Sequence, residues 1–392
     1  MHKKRVLFVI SRFLDGGIDT VLIEYLRYLV KKDEYILTLA IGINMKNLEV
    51  FIKSIPKEVN VVYLNKSLFL TKFPIQRVQG TISYKKKLFD ELVLNPIRRY
   101  SISKGLRKLA KSNDVLIDFS CRFSAFIKNI DIPKIAFYHF SPNAELPKSQ
   151  SVRKKVGKRL DRYDRIVTIS KAMKQEFVQL YPFLQPKLRM IYNGKDLERL
   201  QAKVAISETL NLTPPYLLAI ERLEESQKDI TTLLRAIQIL KEKYHFTIPL
   251  YILGKGKSEK LLKNEAKRLH IADQTHFVGF TNNPYPYIKQ CTILVHSAKF
   301  EGLPTALIEA LLLNKLIICS DCPTGPREIL NNGKAGILVT PGNAEKFAES
   351  IIRLMGDKEL QAEILRGIEE HKHLFTLANT YSQFKNLIEE LT

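Results

Sequence analysis

Short, mostly apolar runs of β-forming residues recur along this chain, with helical patterns between most of them. They fall at residues 5–10, 35–41, 59–64, 115–119, 134–139 and 165–170, then at 216–220, 248–253, 276–278, 292–295 and 316–319. Runs that do not alternate with polar residues suit strands buried on both faces, and strands alternating with helices build parallel sheets. The first unit shows the pattern. A strand at 5–10 meets a turn with Gly16 and Gly17, then a helix from about Ile18 to Lys31 with Val21, Leu22, Tyr25, Leu26 and Leu29 at helical spacing. With 392 residues the chain can fill two cores. Two successive αβα sandwiches accommodate the runs better than one very large sheet.

Composition divides the chain further. Residues 1–195 carry 38 Lys and Arg against 16 Asp and Glu, whereas residues 196–392 carry 24 against 24, so the whole net charge of +22 lies in the first half. Prolines and an Asn193-Gly194 turn mark a join within residues 182–203. The expected domains are therefore 1–195 and 196–375, with a last helix at about 376–392. An excess of cations in one half calls for an anionic partner, either nucleic acid or an anionic membrane surface. No apolar stretch reaches the roughly 18–20 residues needed to span a bilayer, and the start lacks the apolar core of a signal peptide. The chain is expected to be cytoplasmic, and four Cys make no disulfide scaffold.

Much of the basic charge sits at 85–87, 98–111 and 153–165. In the second segment Ile102, Leu106, Leu109 and Ala110 share one helical face ringed by cations, the pattern of a helix lying in a membrane interface or of an ordinary surface helix.

Candidate chemistry collects in loops that follow strands, where open α/β sheets bind ligands. Gly16 and Gly17 let a backbone approach a phosphate at a helix start, though the spacing is not that of a dinucleotide fingerprint. Gly254-Lys255-Gly256 has the form of a nucleotide turn but lacks the P-loop ending. Arg222 and Lys228 follow the run at 216–220. The richest segment is Phe300-Glu301-Gly302-Leu303-Pro304-Thr305, which runs through a turn into an apolar helix carrying Glu309. Exposed amides at that helix start suit an anion, while Glu309 among Leu307, Ile308, Ala310 and Leu311 needs a partner. A Cys319-x-x-Cys322 pair lacks two further ligands for zinc.

Together, Gly16-Gly17, Asn193-Gly194 with Asp196, Arg222 with Lys228, and Glu301-x7-Glu309 resemble the retaining glycosyltransferases of family 4. The stretch HSAKFEGLPTALIEALLLNKLIICSDCPTGPREIL is similar to bacterial members that build lipopolysaccharide or capsule. The resemblance covers essentially the whole chain and implies the GT-B architecture, two Rossmann-like domains facing across a cleft. It implies that Arg222 and Lys228 neutralise a nucleotide diphosphate and that Glu301 faces the donor sugar. Glu309 would bind ribose, backbone amides around the segment Gly302-Leu303-Pro304-Thr305 would hold phosphate, and Gly16 and Gly17 would close from the other domain. Asn193 and Gly254 join the nucleotide-sugar set, and His139 matches a histidine near the sugar. Family members often have Gly where this chain has Glu221, which places an extra carboxylate near the expected phosphate site. The implied reaction needs no metal and no other cofactor. Its implied partners are a nucleotide sugar, a UDP-sugar by family frequency, and a glycan or glycolipid acceptor. The basic half would then sit on the anionic inner face of the cytoplasmic membrane, with no nucleic acid. The competing readings are a nucleic-acid-binding protein, whose signatures are missing, and a sugar-nucleotide epimerase or phosphorylase of the same fold.

Overall fold

The computed structural model describes residues 3–14, 16–146, 149–205 and 212–392. Seven parallel strands form the first sheet: β1 (Lys4–Ile10), β2 (Tyr35–Ile41), β3 (Asn60–Tyr63), β4 (Val115–Asp118), β5 (Lys134–Tyr138), β6 (Arg165–Thr168) and β7 (Leu188–Met190), in the order 3-2-1-4-5-6-7. Six form the second: β8 (Leu217–Ile220), β9 (Leu250–Leu253), β10 (Thr275–Gly279), β11 (Ile293–His296), β12 (Leu316–Ser320) and β13 (Ile337–Val339), in the order 10-9-8-11-12-13. Each order reverses beside its first strand, which opens a crevice at the carboxyl edge.

β1 shows why the sheets are covered on both sides. Val6, Phe8 and Ile10 pack with Leu22, Tyr25 and Leu26 of the helix Gly17–Lys32 and with Phe384 of the last helix, Leu377–Glu389. Leu7 and Val9 point the other way, into a cluster with Ile102, Leu106 and Ala110. A run apolar at every position therefore buries both of its faces, each Leu or Phe contributing about 1.5–3 kcal/mol.

That packing corrects one expectation. The basic helix spans Asn95–Ala110, and its apolar side is core: Ile102, Leu106 and Ala110 are buried, and Arg98 beside them is ion-paired with Asp90 at 2.6 Å. A face already covered by protein cannot dip into headgroups.

The chain passes between the sheets twice, and the two passages lie side by side. The Lys195 amide donates to the Phe375 carbonyl at 3.0 Å, and the Leu377 amide donates to the Lys195 carbonyl at 2.8 Å. Gly194 permits this closeness, since a Cβ there would lie 2.4 Å from the Thr376 carbonyl oxygen.

Candidate functional site

Three loops at the carboxyl edge of the second sheet converge on one buried cluster of charges. β8 delivers Glu221 and Arg222, and the short helix Glu225–Lys228 that follows ends in Lys228. β11 ends in His296, and the loop after it carries Glu301 into the helix Thr305–Leu312. Glu301 accepts a short hydrogen bond from Lys228 Nζ and lies 3.2 Å from His296 Nε2. On the other side of the ring, His296 Nδ1 lies 2.9 Å from Glu221 Oε1. Thr324, from the loop after β12, donates its hydroxyl to the Glu301 carbonyl, and the Glu301 amide donates to the Pro323 carbonyl at 3.2 Å. The carboxylate is thus held by both its side chain and its backbone.

The ionisation of the cluster follows from its pairings. Burial alone would raise the Glu301 carboxyl, but Lys228 and then His296 outweigh it and hold it at about 2. Burial would lower the His296 imidazolium, yet Glu221 and Glu301 hold it up at about 9. Lys228 loses by burial and gains more from Glu301 and Glu221, so it too is raised. Lys228 and His296 thus sit between the carboxyl groups of Glu301 and Glu221. Arg222 stands outside this balance, exposed and ion-paired with no carboxylate among the described residues, so its charge is open to an anion entering the cleft.

The first sheet meets this cluster through His139, which follows β5. A Cβ on Gly302 would lie 2.2 Å from the His139 carbonyl oxygen, so the two halves touch next to Glu301 and only glycine fits. The His139 ring is buried, its Nε2 is 2.8 Å from the Phe119 carbonyl, and burial lowers it to about 4, leaving it neutral. Gly302→Ala is expected to push the halves apart at the reacting centre and lower turnover by about 10²-fold while each half stays folded. Steady-state kinetics beside circular dichroism checks this.

A second buried pair lies where the chain crosses between the sheets. Lys195 Nζ is 2.7 Å from Glu309 Oε1, with both side chains about nine-tenths buried. Burial would lower Lys195, but Glu309 more than compensates and the net shift is upward.

Two family models match the chain, each over one half. Residues 16–199 match Glycosyltransferase Family 4, and residues 201–370 match Glycosyl transferases group 1. The chain is built from these two glycosyltransferase domains. Its architecture is GT-B. It is similar to the N-acetylgalactosamine-N,N'-diacetylbacillosaminyl-diphospho-undecaprenol 4-alpha-N-acetylgalactosaminyltransferase of Campylobacter jejuni, 29% identical over 50% of this chain and 52% of that one. The chain thus aligns with only about half the length of that relative. An uncharacterised glycosyltransferase of Haemophilus influenzae is 26% identical over 91% of this chain and 92% of its own. Among solved structures, Anabaena HepE in complex with UDP and glucose superposes with a TM-score of 0.77, at 17% identity over 100% of both chains.

The fold of this glycosyltransferase brings some of the expected site residues together and leaves others apart. Glu301, Lys228, Gly302 and His139 meet at the cleft, and Leu303, Pro304 and Thr305 lead into a helix whose N-terminus has no side-chain cap. Gly16 is the N-cap of the first helix, where its amide donates to Asp19 at 2.9 Å, and Gly17 has open space above it. Asp15 lies outside the described residues. Gly254 is explained by packing, because a Cβ there would lie 1.9 Å from the Glu221 carbonyl oxygen. Asn193 is buried in the crossing, and its Oδ1 has no hydrogen-bond partner among the described residues. Glu221, expected beside a phosphate site, turns inward to His296 and accepts the Ser297 amide at 3.3 Å.

Three functional residues escaped the sequence reading. His296 was visible only as a lone histidine ending an apolar run, and Lys195 as one more cation in a basic half. Glu328 of the second half accepts the first two amides of the helix Lys171–Leu180 at 2.8 and 2.7 Å, and the Tyr192 hydroxyl at 2.8 Å. It clamps the two halves together as a helix N-terminal anion.

The charge cluster carries a pH signature. His296 is raised from 6.5 to about 9, so its stabilising contribution is complete below 6.5 and is lost as pH rises through about 9. Glu301 is lowered from 4.5 to about 2, so its contribution is complete above 4.5 and is lost as pH falls towards 2. Melting temperature is expected to decline between about pH 7 and pH 9 in the native chain, with a lower but flatter profile for His296→Gln. An unchanged alkaline limb in the variant would remove His296 from this account.

Proposed function

We propose that this chain transfers a hexose or N-acetylhexosamine, with anomeric retention, from a nucleotide diphosphate sugar to a lipid-linked or lipopolysaccharide or capsular glycan. The donor on this reading is a UDP-sugar, and the reaction takes place at the cytoplasmic face of the membrane. The observation that carries the proposal is the balanced Lys228–Glu301–His296–Glu221 cluster. Arg222 lies beside it, ion-paired with no carboxylate among the described residues, and the backbone carbonyl of His139 lies against the neighbouring Gly302. Support for the substrates comes from the names of relatives: the Campylobacter enzyme acts on a diphospho-undecaprenol-linked sugar, and HepE holds UDP and glucose.

In this reading Arg222 and Lys228 stabilise the departing diphosphate, assisted by the amides of Gly302, Leu303 and Thr305 at the uncapped helix start. Glu301 faces the sugar and stabilises positive charge growing at the anomeric carbon. The leaving phosphate takes the acceptor proton on the face of attack, so no enzyme nucleophile is required. Glu309, with Oε1 held by Lys195, offers Oε2 to the ribose diol. Gly16 and Gly17 approach the phosphates from the first domain, while His139, neutral, lines the sugar end. Asn193 and Gly254 support the nucleotide walls. The cations and helix dipole replace a divalent metal, so no cofactor is used.

Proton NMR of the product tests the stereochemistry: an axial anomeric linkage from an α-linked donor fits retention, and the opposite linkage overturns it. Turnover undiminished by EDTA fits metal-independent chemistry, whereas its loss and recovery with a divalent cation would contradict it. A salt-sensitive gel shift with nucleic acid, in the absence of turnover, would favour the nucleic-acid reading instead.

A further inference from the structure

Between β3 and β4 the first domain carries an excursion of helices, Leu68–Val78, Tyr84–Phe89 and Asn95–Ala110, linked by the π-helical turn Asp90–Leu94. Half of the exposed large apolar side chains among the described residues fall here, between 68 and 100. Tyr84 is 79% exposed, Leu92 68% and Phe69 61%, and every residue of Tyr84–Phe89 is exposed. The helical run continues without a break from Tyr84–Phe89 through Asp90–Leu94 into Asn95–Ala110, so the Tyr84–Phe89 turns are held from one end, and apart from the edge contact of Phe89 with Phe73 their apolar side chains stay uncovered. Singly scattered apolar residues need no explanation, but a contiguous set marks an interaction surface.

The underside of the excursion is fixed. Buried Asp90 binds Arg98 at 2.6 Å and Arg77 at 3.2 Å, Arg98 also donates to the Leu70 carbonyl at 3.1 Å, and Arg77 takes Glu91 at 3.2 Å. These pairs use the only two carboxylates between residues 66 and 104, which hold nine Lys and Arg. Lys72, Lys85, Lys86, Lys87 and Lys104 are exposed and ion-paired with no carboxylate among the described residues. The outer face is therefore both apolar and strongly cationic.

We propose that this face inserts into an anionic lipid bilayer, with side chains such as Phe69, Leu88, Leu92 and Ile97 among the acyl chains and the lysines at the headgroups. Charge decides between occupants. A second copy would set seven excess positive charges against seven, which opposes association, whereas anionic lipid satisfies both components of the surface. The excursion leaves from the carboxyl end of β3, the same sheet edge that carries the Gly16 loop and His139. Docking there places the cleft beside the bilayer, and only this last consequence rests on the lipid-linked acceptor reading.

The chain has no Trp, so Leu92→Trp in the full chain gives a silent background for fluorescence. With phosphatidylcholine vesicles containing phosphatidylglycerol, the emission is expected to shift to the blue and to be quenched by brominated acyl chains. Co-sedimentation is expected to weaken more than about tenfold in Phe69→Ser/Leu88→Ser/Leu92→Ser/Ile97→Ser, and similarly in Lys85→Gln/Lys86→Gln/Lys87→Gln. The same charge loss in the helix Gln150–Leu160, by Lys154→Gln/Lys155→Gln/Lys158→Gln, is expected to weaken it less. Circular dichroism checks that each variant is folded. Absence of vesicle binding, an unshifted tryptophan emission, equal loss in the control variant, or a lipid-indifferent dimer abolished by the serine changes would each overturn the proposal. Vesicle binding without sugar transfer would leave the surface standing and remove the transferase reading alone.

Discussion

Glu301→Gln is expected to lower the turnover number by about 10²–10³-fold with little change in KM for the donor. The substitution keeps the shape of the side chain, so the loop from His296 to the helix Thr305–Leu312 stays in place. On the proposed reading, what disappears is the negative charge facing the anomeric carbon, an interaction that strengthens as the sugar–phosphate bond opens and therefore acts in the transition state. Lys228 and His296 would then face only Glu221, so some loss of thermal stability accompanies the variant. Lys228→Met is expected to raise KM as well as lower turnover, because on the same reading its charge meets the diphosphate before and during departure. Near-normal turnover in both variants would mean that the chemistry lies elsewhere.

The second large effect concerns stability. Lys195→Met removes one member of a buried ion pair and is expected to destabilise the chain by about 3–5 kcal/mol, because Glu309 is left charged and unpaired. Lys195→Met/Glu309→Leu is expected to recover most of that loss, since an apolar pair of similar volume avoids the desolvation of both ions. Urea unfolding of the three variants measures the coupling. If Lys195→Met alone leaves the unfolding midpoint unchanged, the pair does not hold the crossing together. Donor affinity adds a separate readout: it should fall in the double variant, where the proposed ribose contact is gone.

Central strands were legible because parallel sheets bury both faces, which leaves uninterrupted apolar runs such as Val6–Ile10. The edge strands β7 and β13 escaped, being three residues each and partly exposed, too short to stand out as runs. The periodicity of Ile102, Leu106 and Ala110 identified an apolar helical face but carried no information about what covers it, and it is the core that does. The surface that is uncovered, from Leu68 to Tyr100, has little helical periodicity and reads in sequence as an ordinary basic stretch.

The cluster was half legible for a related reason. Glu301 and Glu309 announce themselves by sitting in a turn and on an apolar helix, and each demands a partner. The partners themselves, Lys228 with His296 and Lys195, come from other strands and from the crossing between domains, and only the fold brings them within reach. Glu221 is the instructive case. It looked like an unfavourable charge beside a phosphate site, yet His296 at the end of the neighbouring strand answers it.

The central claim is that the Glu301 cluster breaks the bond between a sugar and a nucleotide diphosphate. Its most direct test is nucleotide release from a panel of UDP-, GDP- and ADP-sugars by the native chain and by Glu301→Ala. Release from a UDP-sugar that disappears in the variant is the predicted result. Release that persists in Glu301→Ala, or the lack of any nucleotide binding across the panel, would contradict it.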